Sequence, residues 1–345
     1  MNKRLQVFDI IRAAAALAVI AIHITANYME LPLAYIWNHA VRFAVPLFVI
    51  ISGFLLYYSD RNAAVLTARV FYKKRLDRIL WPYIIWTFFY SLINAYFLRQ
   101  YNPILFLSTL GKNLLLGTGY YHLYFLPIIL QLYLLYPLLR RWMEKDARSL
   151  FGACLALTLT IQTLIYMYML RIISLPAQYS FLYLESFPVW LFYFVFGMYA
   201  AMRKEVWEER LANRAMLSGL IWLSCLGLVL LDSKITAIQG SIVRPSVMLY
   251  TICSYLFFYA LAMELKQMSR PWFAWVSGQS FLIYLMHPLV LTILVYGANR
   301  FGHPGIWAGN PGLLGLYIVT AAVTFFMTYV ISHTPLARFL GGAKN

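Results

Sequence analysis

The sequence predicts an all-α fold, a polytopic membrane bundle of about ten transmembrane helices with both termini in the cytoplasm. Three observations predict it. The chain of 345 residues is 62% hydrophobic and only 12% charged, whereas a soluble domain is roughly 45–50% apolar and about 25% charged. Long apolar runs recur along the chain, and the loops that join them are alternately rich and poor in Lys and Arg. A soluble enzyme, a disordered chain and a disulfide-rich secreted module are therefore excluded.

Ten apolar runs define the predicted spans, since a helix needs about 20 apolar residues to cross a bilayer. Pro82 marks the start of the third span, and a shorter run at 104–116 is interpreted as a re-entrant or interfacial piece of an external loop. No connecting loop is long enough to form a soluble domain, so we predict one membrane domain over residues 1–345. The ten runs are 10–29, 40–59, 79–98, 122–139, 150–170, 182–202, 215–231, 245–263, 273–298 and 312–333.

The net charge of +16 is explained by this topology. With the N-terminus inside, 20 of the 28 Lys and Arg residues fall in cytoplasmic loops and tails, and seven fall outside. The one that remains, Arg12, lies within the first span. Because cytoplasmic loops carry an excess of Lys and Arg, the split supports ten spans with both ends cytoplasmic. The lipid bilayer is the expected partner, and no nucleic-acid partner is expected.

The first span contains Asp9, Arg12 and His23. A charge deep in a bilayer costs about 2.5–3.5 kcal/mol even on insertion scales, so such residues usually face protein or a watery cavity and serve a function. Asp9 and Arg12 are one helical turn apart and can pair. Arg12 and His23 share a helix face about 16 Å apart along the axis. The alternative is that Arg12 anchors the cytoplasmic end and His23 is a hydrogen-bonded packing residue.

Arg12, ten intervening residues and His23 match the R-x10-H signature in the context FDIIRAAAALAVIAIHI, and this sequence resembles the membrane acyltransferase-3 family. The resemblance extends over nearly the whole chain and is specific because its segments occur in the same order. One departure is Tyr124, which stands where the family has Trp. The other matching segments are PLFVIISGFLLYY (46–58), YKKRLDRILWPYIIW (72–86), HLYFLPIILQLYLLYPLL (122–139), FPVWLFYFVFGMYA (187–200) and SFLIYLMHPLVL (280–291).

The resemblance implies an enzyme that moves an acyl group, commonly acetyl from acetyl-CoA, onto a hydroxyl of a glycan or other extracytoplasmic acceptor. It implies that His23 is the general base, a role that suits an ordinary imidazole pKa of about 6.5. Arg12, supported by Asp9, would hold or orient the donor. Arg75 and Arg78 match the family's RxxR element, and two guanidinium groups one turn apart form a clamp for phosphate oxygens. The alternative for both is ordinary anchoring at the cytoplasmic surface.

Three further residues near the outer side are candidates for acceptor binding or support: His122, Tyr124 and Glu185. His122 and Tyr124 begin the fourth span at the predicted depth of His23, and a packing or interfacial role is the alternative. Glu185 is the only acid predicted in the outer part of a span. It would orient a histidine or bind sugar hydroxyls, or it would pair with a buried arginine such as Arg42.

Other polar residues carry weaker signals. Ser52 lacks a G-x-S-x-G context, which favours a packing role. His287 precedes Pro288, which favours a kinked helix and a structural capping role for the histidine, with a site role as the alternative. The six histidines show neither an i,i+4 pair nor HExxH, and no nucleotide-binding motif occurs. No metal and no bound cofactor are expected, and acyl-CoA is expected as a co-substrate.

A different class of function also fits part of the pattern. A transporter or flippase for an anionic solute would use the stripe formed by Arg12 and His23 as a proton-coupled pathway. The absence of inverted repeats and of paired broken helices in the sequence disfavours that reading. Compact loops fit a multi-pass protein of a bacterial plasma or inner membrane.

Overall fold

The computed structural model describes residues 5–61, 68–176, 182–265 and 271–343. Within these ranges the regular structure is helical, which confirms the predicted all-α class. Two 3-10 turns, Phe187–Val189 and Pro304–Trp307, accompany the α-helices. The helices are α1 (Gln6–Thr25), α2 (Pro32–Ala40), α3 (Ala44–Asp60), α4 (Ala68–Phe97), α5 (Pro103–Leu116), α6 (Phe125–Met169), α7 (Leu182–Glu185), α8 (Leu191–Met202), α9 (Lys204–Leu211), α10 (Ala215–Thr236), α11 (Pro245–Leu265), α12 (Pro271–Arg300), α13 (Gly309–Ser332) and α14 (Ala337–Leu340).

Seven helical stretches of the described ranges are long and apolar enough to cross a membrane, so the chain is a multi-pass membrane protein. One of them, α6, covers two of the predicted runs, whereas α8 has only 12 residues. The number of ten spans and the cytoplasmic position of the termini stay predictions. Five of the charges used to predict the topology lie outside the described residues: Lys3, Arg4, Lys266, Arg270 and Lys344.

The 45 residues of α6 are two helices joined at Asp146, whose backbone is non-helical (φ −153°, ψ 89°). The carboxylate of Asp146 accepts hydrogen bonds from the backbone N–H groups of Arg148 and Ser149, each at 3.1 Å. Asp is a preferred residue at the start of a helix because its side chain satisfies N–H groups that have no partner within the helix. Asp146 therefore begins the second half, between the predicted runs 122–139 and 150–170.

Pro82 of α4 and Pro288 of α12 lie inside helices rather than at their ends. α4 runs without interruption through Pro82, so this proline does not begin the helix, and its place at the start of a span stays a prediction. α12 likewise continues through Pro288. Proline removes one backbone hydrogen bond, and neighbouring helices of a membrane bundle can satisfy the carbonyl that is left. Both positions therefore stay helical within the packed bundle.

The first helix, α1, lies at the centre of the bundle and packs against α3, α11, α12 and α13. In the most apolar 18-residue stretch of α1, 72% of the residues are buried. The corresponding share is 28% for α10 and for α13, which lie at the periphery of the bundle. Buried alanines such as Ala13, Ala15 and Ala16 line α1, and small side chains let neighbouring helices approach closely. Asp9 and Thr25 of α1 are thereby buried, and Arg12 and His23 are half-buried.

The most extensive contact between two helices joins α3 to α8. Gly53 of α3 and Gly197 of α8 each face the backbone of the other helix at close range. Only a residue without a Cβ atom allows two helix backbones to come this close. The crossing fixes the position of α3, which contributes to the site described next.

Candidate active site

An arginine-lined cavity, the inner cavity, lies between α1, α3, α4, α6 and α12 and has a volume of about 220 Å³. Arg12 of α1 and Arg75 and Arg78 of α4 line it together. Guanidinium groups bind phosphate and carboxylate oxygens in bidentate geometry, so three of them favour an anionic ligand. The other lining residues are Phe48, Ser52, Ile79, Phe125, Leu126, Ile129, Tyr133, Ser280, Phe281 and Tyr284.

Asp9 lies one turn before Arg12 on α1 and is 5% exposed. Among the described residues, the lining of the inner cavity includes Arg12 but not Asp9. Both side chains interact with other groups of the protein. The structure therefore places Asp9 next to the inner cavity without direct access to it, and its pairing with Arg12 stays a prediction.

Three histidines come together at the other end of α1 and form a histidine cluster: His23, His122 and His287. His23 lies in the last turn of α1, half-buried, with its ring stacked on that of His287 at a centroid distance of 5.3 Å. The ring of His287 lies 6.0 Å from that of His122. Two residues selected from the sequence, His23 and His122, are thus joined by a third from α12.

The histidine cluster has unused hydrogen-bonding capacity. His122 is 1% exposed, and neither of its ring nitrogens has a hydrogen-bond partner within the described part of the chain. In His287, Nδ1 lies 3.2 Å from the carbonyl oxygen of Ile283, while Nε2 is buried without a partner there. A buried polar atom that lacks a partner costs about 1–3 kcal/mol. Such atoms are retained where a catalytic or binding role explains them.

Tyr284 lies between the inner cavity and the histidine cluster and contacts both. Tyr284 lines the inner cavity, and its ring lies 5.3 Å from that of His122. Its hydroxyl donates a hydrogen bond to the backbone carbonyl of His122. Ring contacts run from Tyr284, in the wall of the inner cavity, through His122 and His287 to His23.

Two further cavities open beside His23, which lines both of them. The first, the aromatic cavity, has a volume of about 590 Å³ and is lined by His23, Ala26, Asn27, Phe97, Tyr120, Tyr121, Leu291, Thr292, Val295, Tyr296 and Asn299. The second, the Arg42 cavity, has a volume of about 380 Å³ and is lined by His23, Ile22, Ala26, Arg42, Val45, Tyr124, Ile165, Tyr168, Met169, Tyr183, Leu184, Gly240, Ser241, Ile242 and Val243. His23 is therefore reachable from two sides.

Of the predicted acceptor residues, Tyr124 lines the Arg42 cavity together with His23. Glu185 ends α7, where its backbone carbonyl accepts a hydrogen bond from Gln131 at 2.9 Å. Its Oε2 atom is buried and has no hydrogen-bond partner among the described residues. Glu185 lines none of the three cavities, and Arg42 does not pair with it but donates to Asn38 and Gly240 instead.

Sequence reasoning favoured a capping role for His287, but the structure places this residue in the buried middle of α12, against the site. The ring of Tyr121 lies 4.7 Å from that of His23, and this residue was not selected from the sequence. Arg42 was named only as a partner for Glu185. The sequence contains a signal for His287, because it is a polar residue within a predicted span, and such residues are functional candidates by default.

The arrangement combines a cationic cavity at one end of α1 with imidazole groups at the other. A histidine beside a cavity can take a proton from a bound hydroxyl group. Within the part of the chain that the structure describes, no group of three or more His, Cys, Asp or Glu side chains is placed to hold a metal ion. The side chains that line the cavities include imidazole, guanidinium and phenol groups, and hydroxyl groups such as those of Ser52 and Ser280.

In a comparison with protein families, the family model described as an acyltransferase domain, of the acyltransferase-3 type, matches residues 5–331. The match includes each candidate residue named above. None of the curated proteins and none of the solved structures compared with the chain matches it.

Proposed function

Since the chain belongs to the acyltransferase-3 family and is a membrane acyltransferase, we propose that it transfers an acetyl group from cytoplasmic acetyl-CoA to a hydroxyl of a cell-envelope glycan or glycolipid. The observation that carries the proposal is the row of ring contacts from Tyr284, which lines the arginine-lined inner cavity, through His122 and His287 to His23. It connects a site suited to a phosphorylated donor with a site suited to deprotonating an acceptor.

The inner cavity is the proposed donor site. Coenzyme A carries phosphate groups, which are the preferred partners of guanidinium side chains. Arg12, Arg75 and Arg78 line the cavity together, and its remaining wall is mostly apolar, which suits the less polar arm that ends in the thioester. The topology predicted from the charges places this cavity on the cytoplasmic side, where acyl-CoA is made.

His23 is the proposed general base. It takes the proton of the acceptor hydroxyl while the hydroxyl oxygen attacks the thioester carbonyl. A new C–O bond forms, the C–S bond breaks, and the thiolate of coenzyme A leaves and recovers the proton from His23. His122 and Tyr124 support the acceptor in this scheme. Direct transfer from thioester to hydroxyl needs no covalent intermediate on the protein.

The proposed site of action is a bacterial plasma or inner membrane, with the acceptor on the outer side. The family assignment favours this enzyme over a transporter of anionic solutes. The aligned Arg12 and His23 then serve donor binding and proton transfer rather than a solute pathway.

A transfer assay tests the proposed function. Purified protein in nanodiscs is mixed with acetyl-CoA labelled in the acetyl group and with a crude envelope glycan fraction. We expect release of coenzyme A and appearance of label in glycan, in equal amounts. If coenzyme A is not released with any envelope fraction, while solute uptake occurs in proteoliposomes, the proposal is wrong.

Substitution of Arg75 or Arg78 by alanine is expected to raise the KM for acetyl-CoA by roughly tenfold or more, because a charge-assisted hydrogen bond to phosphate is lost. The KM for the glycan fraction should stay the same. Arg141→Ala is the matched control, since Arg141 is exposed and does not line the inner cavity. An equal rise for both substrates would contradict the assignment of these arginines to the donor.

A further inference from the structure

We propose that Arg42 forms an anion-binding subsite, and that the acceptor carries a carboxylate or phosphate group which Arg42 holds while a hydroxyl of the same molecule lies at His23. The inference rests on the proposed function, because it names the chemical class of the acceptor. It assigns a role to a residue that lies outside the donor site and the histidine cluster.

Arg42 is buried and held in a fixed position. Only 4% of it is exposed, and its two Nη atoms donate hydrogen bonds to the side-chain oxygen of Asn38 and to the carbonyl oxygen of Gly240. Asn38 is itself anchored to α1, since its amide donates to the carbonyl of Ile22 at 3.0 Å and to the hydroxyl of Thr25 at 2.8 Å. A guanidinium group held this firmly is organised before a ligand arrives, which favours binding.

The charge of Arg42 is not balanced by the protein. Both hydrogen-bond acceptors are neutral, and no carboxylate of the described residues lies within 4.0 Å of it. The Nε atom is buried without a hydrogen-bond partner in the same part of the chain. By contrast Arg244, also buried, pairs with Asp232 at 3.4 Å. A buried charge without a counter-ion is strongly unfavourable, so an anionic ligand would relieve it.

The position of Arg42 fits an acceptor subsite. Arg42, His23 and Tyr124 line one cavity of about 380 Å³, within the usual size range of small-molecule sites. Tyr168 and Tyr183, whose rings pack edge to face at a centroid distance of 5.3 Å, are part of the same wall. A molecule in this cavity can present its anionic group to Arg42 and a hydroxyl to His23 at once.

A purely structural role would also explain the two hydrogen bonds of Arg42, because they tie the junction of α2 and α3 to the segment before α11. That role predicts a loss of stability on substitution but no preference between charged and neutral acceptors. The test therefore compares acceptors of equal ring structure and different charge.

The experiment measures transfer of labelled acetyl to the envelope fraction in the presence of D-glucose, D-glucuronic acid or D-glucose 6-phosphate as competitor. In the unmodified protein we expect at least one of the charged sugars to compete at a concentration tenfold or more below that of glucose. Its inhibition should be competitive with the envelope fraction and not with acetyl-CoA. Competition by glucuronic acid alone identifies a carboxylate as the group recognised, and competition by the phosphate alone identifies a phosphate.

The same series in Arg42→Gln should remove the difference between charged and neutral sugars, whereas Arg42→Lys should retain part of it. Arg300→Gln is the matched control, since it removes an exposed positive charge at the end of α12. If Arg42→Gln does not fold, the same series in Arg42→Lys decides, because a preference equal to that of the unmodified protein would contradict the role of the guanidinium group.

Equal competition by the three sugars, or competition against acetyl-CoA, overturns the inference while label transfer upholds the proposed function. Absence of transfer to every envelope fraction overturns the proposed function and the inference with it.

Discussion

Replacement of His23 by alanine is expected to lower acetyl transfer by about 10²–10⁴-fold, the usual contribution of a general base. The loss should appear in kcat, because His23 acts on the proton that moves in the chemical step. The KM for acetyl-CoA should change little, since His23 lies about 16 Å along α1 from Arg12 of the inner cavity. Initial rates of coenzyme A release in nanodiscs at several concentrations of each substrate separate the two parameters.

The matched control is His303→Ala. His303 is exposed in the connection after α12 and contacts none of the three cavities within the described residues. Its replacement should leave the rate unchanged. Both variants should elute from size-exclusion chromatography as the unmodified protein does. Transfer at the normal rate by a folded His23→Ala protein would show that another group is the base.

Replacement of Gly197 by alanine is expected to destabilise the fold strongly, as is the same change at its counterpart in α3, Gly53. A Cβ atom at Gly197 would lie 2.0 Å from the carbonyl oxygen of Ile50, and one at Gly53 would lie 2.1 Å from that of Phe194. Neither oxygen can move unless its helix moves. Inserting a methyl group into a packed core costs about 1–3 kcal/mol, and more where backbone is in the way. We expect a lower melting temperature in detergent and a reduced yield.

Gly227→Ala is the matched control for this substitution. Gly227 lies in α10, and no atom would come within 4 Å of its Cβ. Alanine favours a helix over glycine by about 0.5–1 kcal/mol, so this variant should melt at the same temperature or slightly higher. Equal melting temperatures for Gly197→Ala and Gly227→Ala would contradict the close crossing of α3 and α8.

The helical class was predictable because apolar runs of membrane length have few alternative structures. The residues at which the helices begin and end depended on single side chains and their contacts. Asp146 divides α6 by capping a new helix, whereas Pro82 and Pro288 leave α4 and α12 intact. A proline tolerated in a packed bundle has the same sequence appearance as a proline that ends a helix. Tertiary contacts decide between the two, and a single sequence does not show them.

The candidate site was predictable where its residues share one helix or one motif. Arg12 and His23 follow from the spacing on α1, and Arg75 and Arg78 follow from their separation on α4. His287 and Arg42 reach the site only because α12 and the start of α3 pack against α1. Nothing in their local sequence states that these helices are neighbours, so the packing of the bundle was needed to select them.

His23 borders the aromatic cavity on one side and the Arg42 cavity on the other, while the inner cavity lies beyond Tyr284. Molecules bound in the inner cavity, the aromatic cavity and the Arg42 cavity do not compete for the same space. A donor can therefore remain in place while an acceptor arrives, and the acceptor can bind without waiting for spent coenzyme to leave. Under the proposed function, this layout permits a ternary complex in which both reactants are held at once.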